Sequence, residues 1–332
     1  MSIRTGQDDT NLPWVEKYRP SSLDYVYGQQ DTVETVRKFV QDGRLPHLLF
    51  YGPPGTGKTS TIMALAKEIY GKNYRNMVLE LNASDDRGIS VVRDQIMNFA
   101  STRQIFSSGF KLIILDEADA MTNVAQNALR RVIEKYTKNT RFCVLANYAH
   151  KLNPALLSRC TRFRFQPISQ EAIQMRINDV IKQEGINIDD DALQSLLKLS
   201  KGDMRKALNV LQACFTGLDS PTQAITSPMI YECVGAPDPQ DIEHVLDTII
   251  QENWEASFTI MNRLKLEKGY ALIDLVNGFV DILGGYQLER VCRLTILKGL
   301  ADIEYAISRG GNDAIQNTAV IGVIKKGFET QT

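Results

Sequence analysis

The stretch YGPPGTGKTS, residues 51–60, constrains this chain more than any other. From Gly52 to Thr59 it has the spacing G-x-x-x-x-G-K-[ST], directly after the apolar run His47–Tyr51 and directly before an amphipathic one. A glycine-rich turn between a strand and a helix lets backbone N–H groups curl around phosphate, and the helix N-terminus adds a positive dipole end. Gly52, Pro53, Pro54, Gly55, Thr56 and Gly57 are the expected cradle, with Ser60 at the helix start beside it. Lys58 is placed to bridge the outer phosphates of a nucleotide, and the Thr59 hydroxyl to hold Mg²⁺. Without its flanks the motif is only a Gly/Pro loop with a solvated lysine; the strand before it and the helix after it favour the phosphate site.

The first half of the chain repeats this alternation. Strand candidates are His47–Tyr51, Met77–Leu81, Lys111–Leu115, Arg141–Ala146 and Arg162–Phe165. Between them, Ile62, Leu65, Ala66 and Ile69 fall at i, i+3, i+4, i+7, as do Leu129, Val132, Ile133 and Tyr136, so each set forms one apolar helix stripe. Strands alternating with helices predict a parallel sheet covered on both faces. After about residue 166 the pattern is helical throughout. Ser169 precedes a helix start, and KGDMRKALNVLQAC puts Met204, Ala207, Leu208 and Leu211 on one stripe. GAPDPQ (235–240) is the clearest break, and EKGY, LGGY and SRGGND punctuate the helices beyond it. The expected organisation is an α/β nucleotide-binding domain over 1–166, a small helical domain over 167–234 and an all-α domain over 235–332.

A second motif fits the first. KLIILDEADA is an apolar strand ending in Asp116 and Glu117. Parallel sheets bind ligands at the carboxyl ends of their strands, where this acidic pair and the glycine loop both fall. Asp116 suits Mg²⁺ held through water, and Glu117 suits a general base for an attacking water. An acidic pair at a strand end alone more often reflects a helix N-terminal charge preference; together with the glycine loop it reads as a nucleoside triphosphatase. The following strand ends at Asn147, either a turn-forming residue or an amide that orients the attacking water or contacts the γ-phosphate.

Charge narrows the partners. The net charge of −1 gives no general attraction for nucleic acid, so any such contact must be local. The five cysteines have no CxxC spacing, which argues against a zinc site or disulfide scaffold and fits a reducing compartment. No apolar run has the length of a membrane span and MSIRTGQDDTN lacks a signal-peptide core, so the expectation is a soluble intracellular protein with no membrane partner.

Arg159, in NPALLSRCTRFRF, is harder to place. Asn153 and Pro154 read as N-cap and first residue of a short helix, which must carry the chain from the carboxyl end of one strand back to the opposite sheet edge. A six-residue strand spans about 20 Å, further than an arginine side chain reaches. Arg159 is therefore expected to miss its own phosphate loop and to be available to a neighbour's. The local alternative is a cation at a helix C-terminus, favourable by about 0.3–1 kcal/mol.

In order along the chain, WVEKYRP, GPPGTGKTS, LNASDDRG, LDEADAM, LANYAHKL, LLSRC and GDMRKALN resemble the small subunits of replication factor C, the AAA+ clamp loader of DNA replication. The resemblance is weakest after about residue 235. It implies an AAA+ P-loop ATPase with a five-stranded parallel sheet, a helical lid and a C-terminal collar through which subunits assemble. It implies adenine contacts at Val15, Tyr18 and Arg19, with Val26 and Tyr27 nearby. Asn147 takes the place of the first nucleotide sensor, Arg205 that of a second sensor on the lid, and Arg159 that of an arginine finger serving the adjacent subunit. ATP and Mg²⁺ are the implied cofactors; four other loader subunits, a sliding clamp and primer–template DNA are the implied partners, and the nucleus is the implied location. A helix start at Arg87 and Gly88, with Arg93 two turns along, and another at Thr122 and Asn123 suit phosphate contact without base reading; the resemblance turns them toward DNA, although solvated helix starts are an equal reading of each. Ile105 and Phe106, between polar residues, suit docking on the clamp or anchoring a loop. The alternatives are a homo-oligomeric AAA+ remodeller or branch-migration helicase, for which pore-loop aromatics or a DNA wedge are not evident, and a non-hydrolysing structural subunit, which has no need of Glu117.

Overall fold

The computed structural model describes residues 12–83, 88–102, 109–218, 220 and 222–330, with residues 88–93 described by backbone alone. Helices α1 (Trp14–Lys17) and α2 (Gln30–Gln41) lead into β1 (Leu48–Tyr51). Then follow α3 (Lys58–Tyr70), α4 (Tyr74–Met77), β2 (Val78–Asn82), α5 (Gly88–Ser101), β3 (Lys111–Asp116) and α6 (Asn123–Tyr136). Strand β4 (Thr140–Ala146), helix α7 (Pro154–Leu157) and β5 (Thr161–Arg164) complete the α/β part. Each expected strand is present, displaced by at most one residue at either end.

The sheet is parallel, in the order β2-β3-β4-β1-β5. From β1 the chain passes to the far edge, works back through β3 and β4, and then places β5 on the other side of β1. That reversal opens a crevice at the carboxyl end of β1, the usual ligand position in an open α/β sheet. Successive side chains point to opposite faces, as the two-residue repeat of a strand requires, and both faces of β1, β3 and β4 are buried. Leu112, Ile114, Leu48 and Phe50 pack on one face with Ile62 and Leu65 of α3. Ile113, Leu115 and Phe142 pack on the other with Ile96 of α5 and Leu129 and Ile133 of α6.

Opposite the crevice, His47 ties the starts of two strands together. The Phe142 amide donates to its Nδ1 at 3.1 Å, and its Nε2 lies 3.3 Å from the Thr137 hydroxyl. Burial, reinforced by the Arg141 charge, pushes the His47 pKa down to about 4, so the ring is neutral.

Beyond β5 the described residues contain no further strand apart from an isolated bridge between Ile188 and Ile225. Helix α8 (Gln170–Glu184) starts at Ser169, whose side chain accepts from the Ala172 amide; α9 (Asp190–Ser200) and α10 (Met204–Thr216) follow. Contacts divide the chain into two compact units. The first runs to Asn187 and includes Leu196–Ala224; the second combines Ile188–Ser195 with everything from Ile225 onward.

The second unit contains α11 (Ser227–Val234), α12 (Pro239–Gln251), α13 (Trp254–Lys268), α14 (Leu272–Leu283), α15 (Arg290–Ser308) and α16 (Asp313–Glu329). GAPDPQ is the expected break: Gly235 closes α11 in the left-handed region, Asp238 caps the Gln240 amide, and Pro239 occupies the first turn of α12. The core of this unit joins Ile242 and Ile249 of α12, Phe279 of α14, Ile296 and Leu300 of α15, and Val320 and Ile324 of α16. Helices α15 and α16 approach closely because Gly327 lies against Ile296 and Gly299 against Val323, where a Cβ would overlap the facing side chain. No helix among the described residues is long and apolar enough to cross a membrane.

Candidate nucleotide site

The phosphate loop sits at the reversal point. Gly55 and Gly57 have φ of 67° and 92°, in the region where glycine carries no Cβ penalty. Gly55 is doubly restricted, since a Cβ there would overlap the Asp203 carboxylate at the start of α10. The loop delivers Lys58 to the first position of α3, where its ammonium donates to Gly52 O at 2.7 Å, Pro53 O at 2.8 Å and Asn147 Oδ1 at 3.0 Å. Burial pushes the Lys58 pKa down to about 8, opposed by the Asp116 and Asp119 carboxylates and assisted by the Arg205 charge.

Strand β3 brings the acidic pair alongside. Thr59 donates its hydroxyl to Asp116 Oδ2 at 2.8 Å, and Asp116 Oδ1 accepts the Glu117 amide at 2.8 Å. Glu117 has φ 54°, a left-handed conformation rare for a residue with a Cβ, and it lines the cavity. Such strain persists where the surrounding structure imposes it and tends to gather at functional sites. Asp119, two residues on, accepts from the Asn147 amide at 3.3 Å and the Tyr148 amide at 3.2 Å, fixing the end of β4 beside β3. One hydroxyl and one carboxylate facing each other form a donor set that fits Mg²⁺, which keeps several waters and takes other ligands from phosphate. Among the described residues no cluster of three or more His, Cys, Asp or Glu forms a separate metal cage.

The cavity continues to Val15, Tyr18, Arg19, Val26 and Tyr27, all five residues expected near adenine. These residues are anchored to the lid helices. The Trp14 amide donates to Gln212 Oε1 at 2.9 Å, and its ring packs on Phe215 at 5.6 Å. Lys17 and the Tyr18 hydroxyl both reach Glu184 Oε1 at 2.5 Å, and Arg176 donates to Tyr18 O at 2.6 Å. Burial, with Glu184 beside it, raises the Tyr18 phenol's pKa and keeps it protonated. Tyr27 donates to Asp179 Oδ2 at 3.3 Å, and Arg19 pairs with Glu16 at 2.7 Å. The lid also touches the phosphate loop directly, the Met204 amide donating to Gly55 O at 3.2 Å.

Pro54 through Ser60, Asp116, Glu117, Asn147 and Arg205 converge on this one cavity. Gly52 and Pro53 contribute carbonyls to Lys58 without lining it. Met204 and Leu208, read from the sequence as core stripe, also form part of the cavity wall, whereas Ala207 and Leu211 are core. Sequence reasoning missed Arg176, Glu184, Asp203 and Asp119. Asp203 was legible as an N-cap, since its carboxylate accepts the Lys206 amide at 3.0 Å; Arg176 and Glu184 lie on an ordinary amphipathic helix and carry no local signal.

Arg159 lies elsewhere. The Asn153 side chain caps α7 at the Ala155 amide, Pro154 follows in the first turn, and β5 begins two residues after Arg159. Thr161 pairs with Leu48 at the start of β1, while the phosphate loop opens after Tyr51 at its end. Arg159 does not line the cavity; its guanidinium bonds the Ala155 carbonyl and Glu134 of α6. Thr122 and Asn123 are exposed at the start of α6, with the Thr122 hydroxyl capping the Ala125 amide at 3.3 Å. Gly88 opens α5, and Arg93 lies on that helix by its backbone. Arg87, Ile105 and Phe106 lie outside the described residues.

Comparison with known proteins agrees with this architecture. Residues 48–168 match the ATPase family associated with various cellular activities (AAA), residues 176–216 an RCF1/5-like AAA+ ATPase lid domain, and residues 237–323 the replication factor C C-terminal domain. The chain is 66% identical to replication factor C subunit 3 of Saccharomyces cerevisiae, over 97% of this chain and 95% of that protein. It is 48% identical to replication factor C subunit 5 of Homo sapiens, over 95% of this chain and 92% of the human protein. Among solved structures, the Thermotoga maritima RuvB Holliday junction branch migration motor superposes with a TM-score of 0.53 over 82% of this chain and 93% of that one. At 18% identity that likeness is one of fold alone. Sequence identity, fold and the converging nucleotide site together place the chain in the replication factor C family of AAA+ ATPases.

Proposed function

We propose that this chain is an ATP-binding and hydrolysing subunit of a five-membered clamp loader, in which it binds ATP in its own crevice and lends Arg159 to the crevice of a neighbour. The observation that carries the reading is a separation within one subunit. Lys58, Thr59, Asp116, Glu117 and Asn147 meet at the carboxyl end of β1, while Arg159 stands at the start of β5, beside the opposite end of β1.

Each side chain then has a defined task. Val15, Tyr18, Arg19, Val26 and Tyr27 hold the adenine, and the amides of the phosphate loop surround the β- and γ-phosphates. Lys58 exchanges its three protein acceptors for phosphate oxygens, with Asn147 kept close by the Asp119 clamp. Glu117 orients a water and takes its proton as the water attacks the γ-phosphorus. Arg205, carried by the lid, reaches the phosphates as the lid closes. Thr59 and Asp116 would hold Mg²⁺, which supplies charge neutralisation at the β- and γ-oxygens. Arg159 of one subunit stabilises transition-state charge in the next, a contribution that reaches about 10³–10⁵ in rate where such fingers operate.

The partners follow from the same reading: four other loader subunits, a sliding clamp and primer–template DNA in the nucleus. ATP binding favours the closed spiral that grips clamp and DNA, and hydrolysis weakens that grip. In this reading the exposed start of α6, through Thr122 and Asn123, meets DNA phosphate. The helices from residue 235 onward form the collar, residues 167–234 the lid and residues 1–166 the ATPase body. The test is a loader reconstituted with Arg159→Ala, measured for ATP-dependent transfer of clamp onto primed DNA. Undiminished loading and hydrolysis would remove the basis of the assignment.

A further inference from the structure

Arg159 is held by three contacts. Its NH1 donates to the Ala155 carbonyl in the first turn of α7 and to the Ser158 hydroxyl at 3.4 Å, and its NH2 pairs with Glu134 Oε1 on α6. The same Glu134 oxygen has a second claimant one turn back on α6. Arg130 Nε lies 3.7 Å from it, beyond hydrogen-bond distance, and that nitrogen is buried without any hydrogen-bond partner. Two arginines thus face one carboxylate, one bonded and one lacking its bond. A buried donor without a partner is costly, so the carboxylate gains a bond whichever way it turns. The Glu134–Arg159 pair is about one-third exposed on the arginine side and 42% on the glutamate side. Pairs so exposed to water are weak and readily displaced by a stronger anion.

We infer that Glu134 is a positioning residue that holds Arg159 in reserve and, when Arg159 engages a neighbour's nucleotide, transfers its carboxylate to Arg130. This rests on the reading of Arg159 as a finger acting in trans. A carboxylate on the guanidinium both neutralises the charge meant for the γ-phosphate and occupies one of its donor edges. Release therefore precedes catalysis at the neighbouring site, and Arg130 lowers the cost of release by taking up the freed carboxylate. The exchange lies within α6 itself, so it needs no backbone movement, only a change of partner by one glutamate side chain.

The experiment uses the complete loader without DNA and reads hydrolysis at the adjoining site, with hydrolysis but not ATP binding disabled at every other site. Glu134→Gln keeps the shape and removes the charge that holds Arg159, and it should raise that rate about twofold to fivefold, the range for displacing an exposed pair. Arg130→Met removes the alternative partner and should lower the rate by a similar factor. ATP affinity in this chain's own site should be unchanged in both. In an Arg159→Ala background neither substitution should move the rate. An unchanged or lowered rate for Glu134→Gln, or both variants shifting the rate in the same direction, overturns the exchange. If Arg159→Ala alone leaves the adjoining site at full rate, the trans reading itself fails and takes the exchange with it.

Discussion

Raising the pH should weaken ATP binding through one residue, Lys58. Its ammonium is buried among backbone carbonyls, and burial holds its pKa at about 8 before nucleotide binds. A triphosphate needs the charged form and raises its pKa on binding. The sign follows: below pH 8 the ammonium is present in both states and affinity is flat, while above pH 8 the free protein must take up a proton to bind. The dissociation constant then scales as one plus ten to the power (pH − 8), a factor of about 10 between pH 7 and pH 9, or about 1.4 kcal/mol. Titration calorimetry at pH 8 in buffers of different ionisation enthalpy should register uptake of about half a proton per ATP. Lys58→Arg provides the control, because a guanidinium stays charged across this range; its affinity, whatever its absolute value, should not vary with pH. Equal affinity of the native protein at pH 7 and pH 9, or release of protons on binding, would refute the account of Lys58.

Two further substitutions test the packing around the site and the sheet. Gly55→Ala places a Cβ in the Asp203 carboxylate and forces a residue with a side chain to φ 67°. It should cost about 1–2 kcal/mol of stability from the backbone alone and lose most ATP affinity as the lid is displaced. Adding Asp203→Ala should recover part of the affinity and none of the backbone cost, as read by thermal melts and nucleotide titration. His47 has a folded pKa near 4 against about 6.5 unfolded, so the unfolded chain binds more protons between those values. Stability is therefore full above pH 6.5 and falls as pH drops toward 4, by about 2 kcal/mol at pH 5. Urea unfolding at pH 7.5 and pH 5 should show the loss, and His47→Gln should reduce it.

The sequence disclosed what depends on short-range pattern and hid what depends on distant approach. Strand positions were legible because Leu48–Phe50, Leu112–Leu115 and Phe142–Ala146 are apolar runs buried on both faces of a parallel sheet. Asn153–Pro154 and Asp238–Pro239 announced their helices through capping chemistry that acts over a few residues. The direction of the chain through α7 then sufficed to separate Arg159 from its own phosphate loop. The anchoring of the cavity wall around Val15 and Tyr18 was not legible, because Trp14 meets Gln212 and Lys17 meets Glu184 across intervals of 198 and 167 residues. Met204 and Leu208 were misleading for a related reason. A helix stripe marks which face is apolar and does not distinguish protein core from the wall of a cavity.

The central claim is that the chain holds one nucleotide site and serves another. The most direct measurement is hydrolysis resolved by site in a reconstituted loader in which only two sites are active, this chain's own and that of the neighbour facing Arg159. With Arg159→Ala, this chain should bind and hydrolyse ATP at its native rate while the facing site loses about 10³-fold or more. Loss confined to this chain's own site, with the neighbour unaffected, would contradict the account.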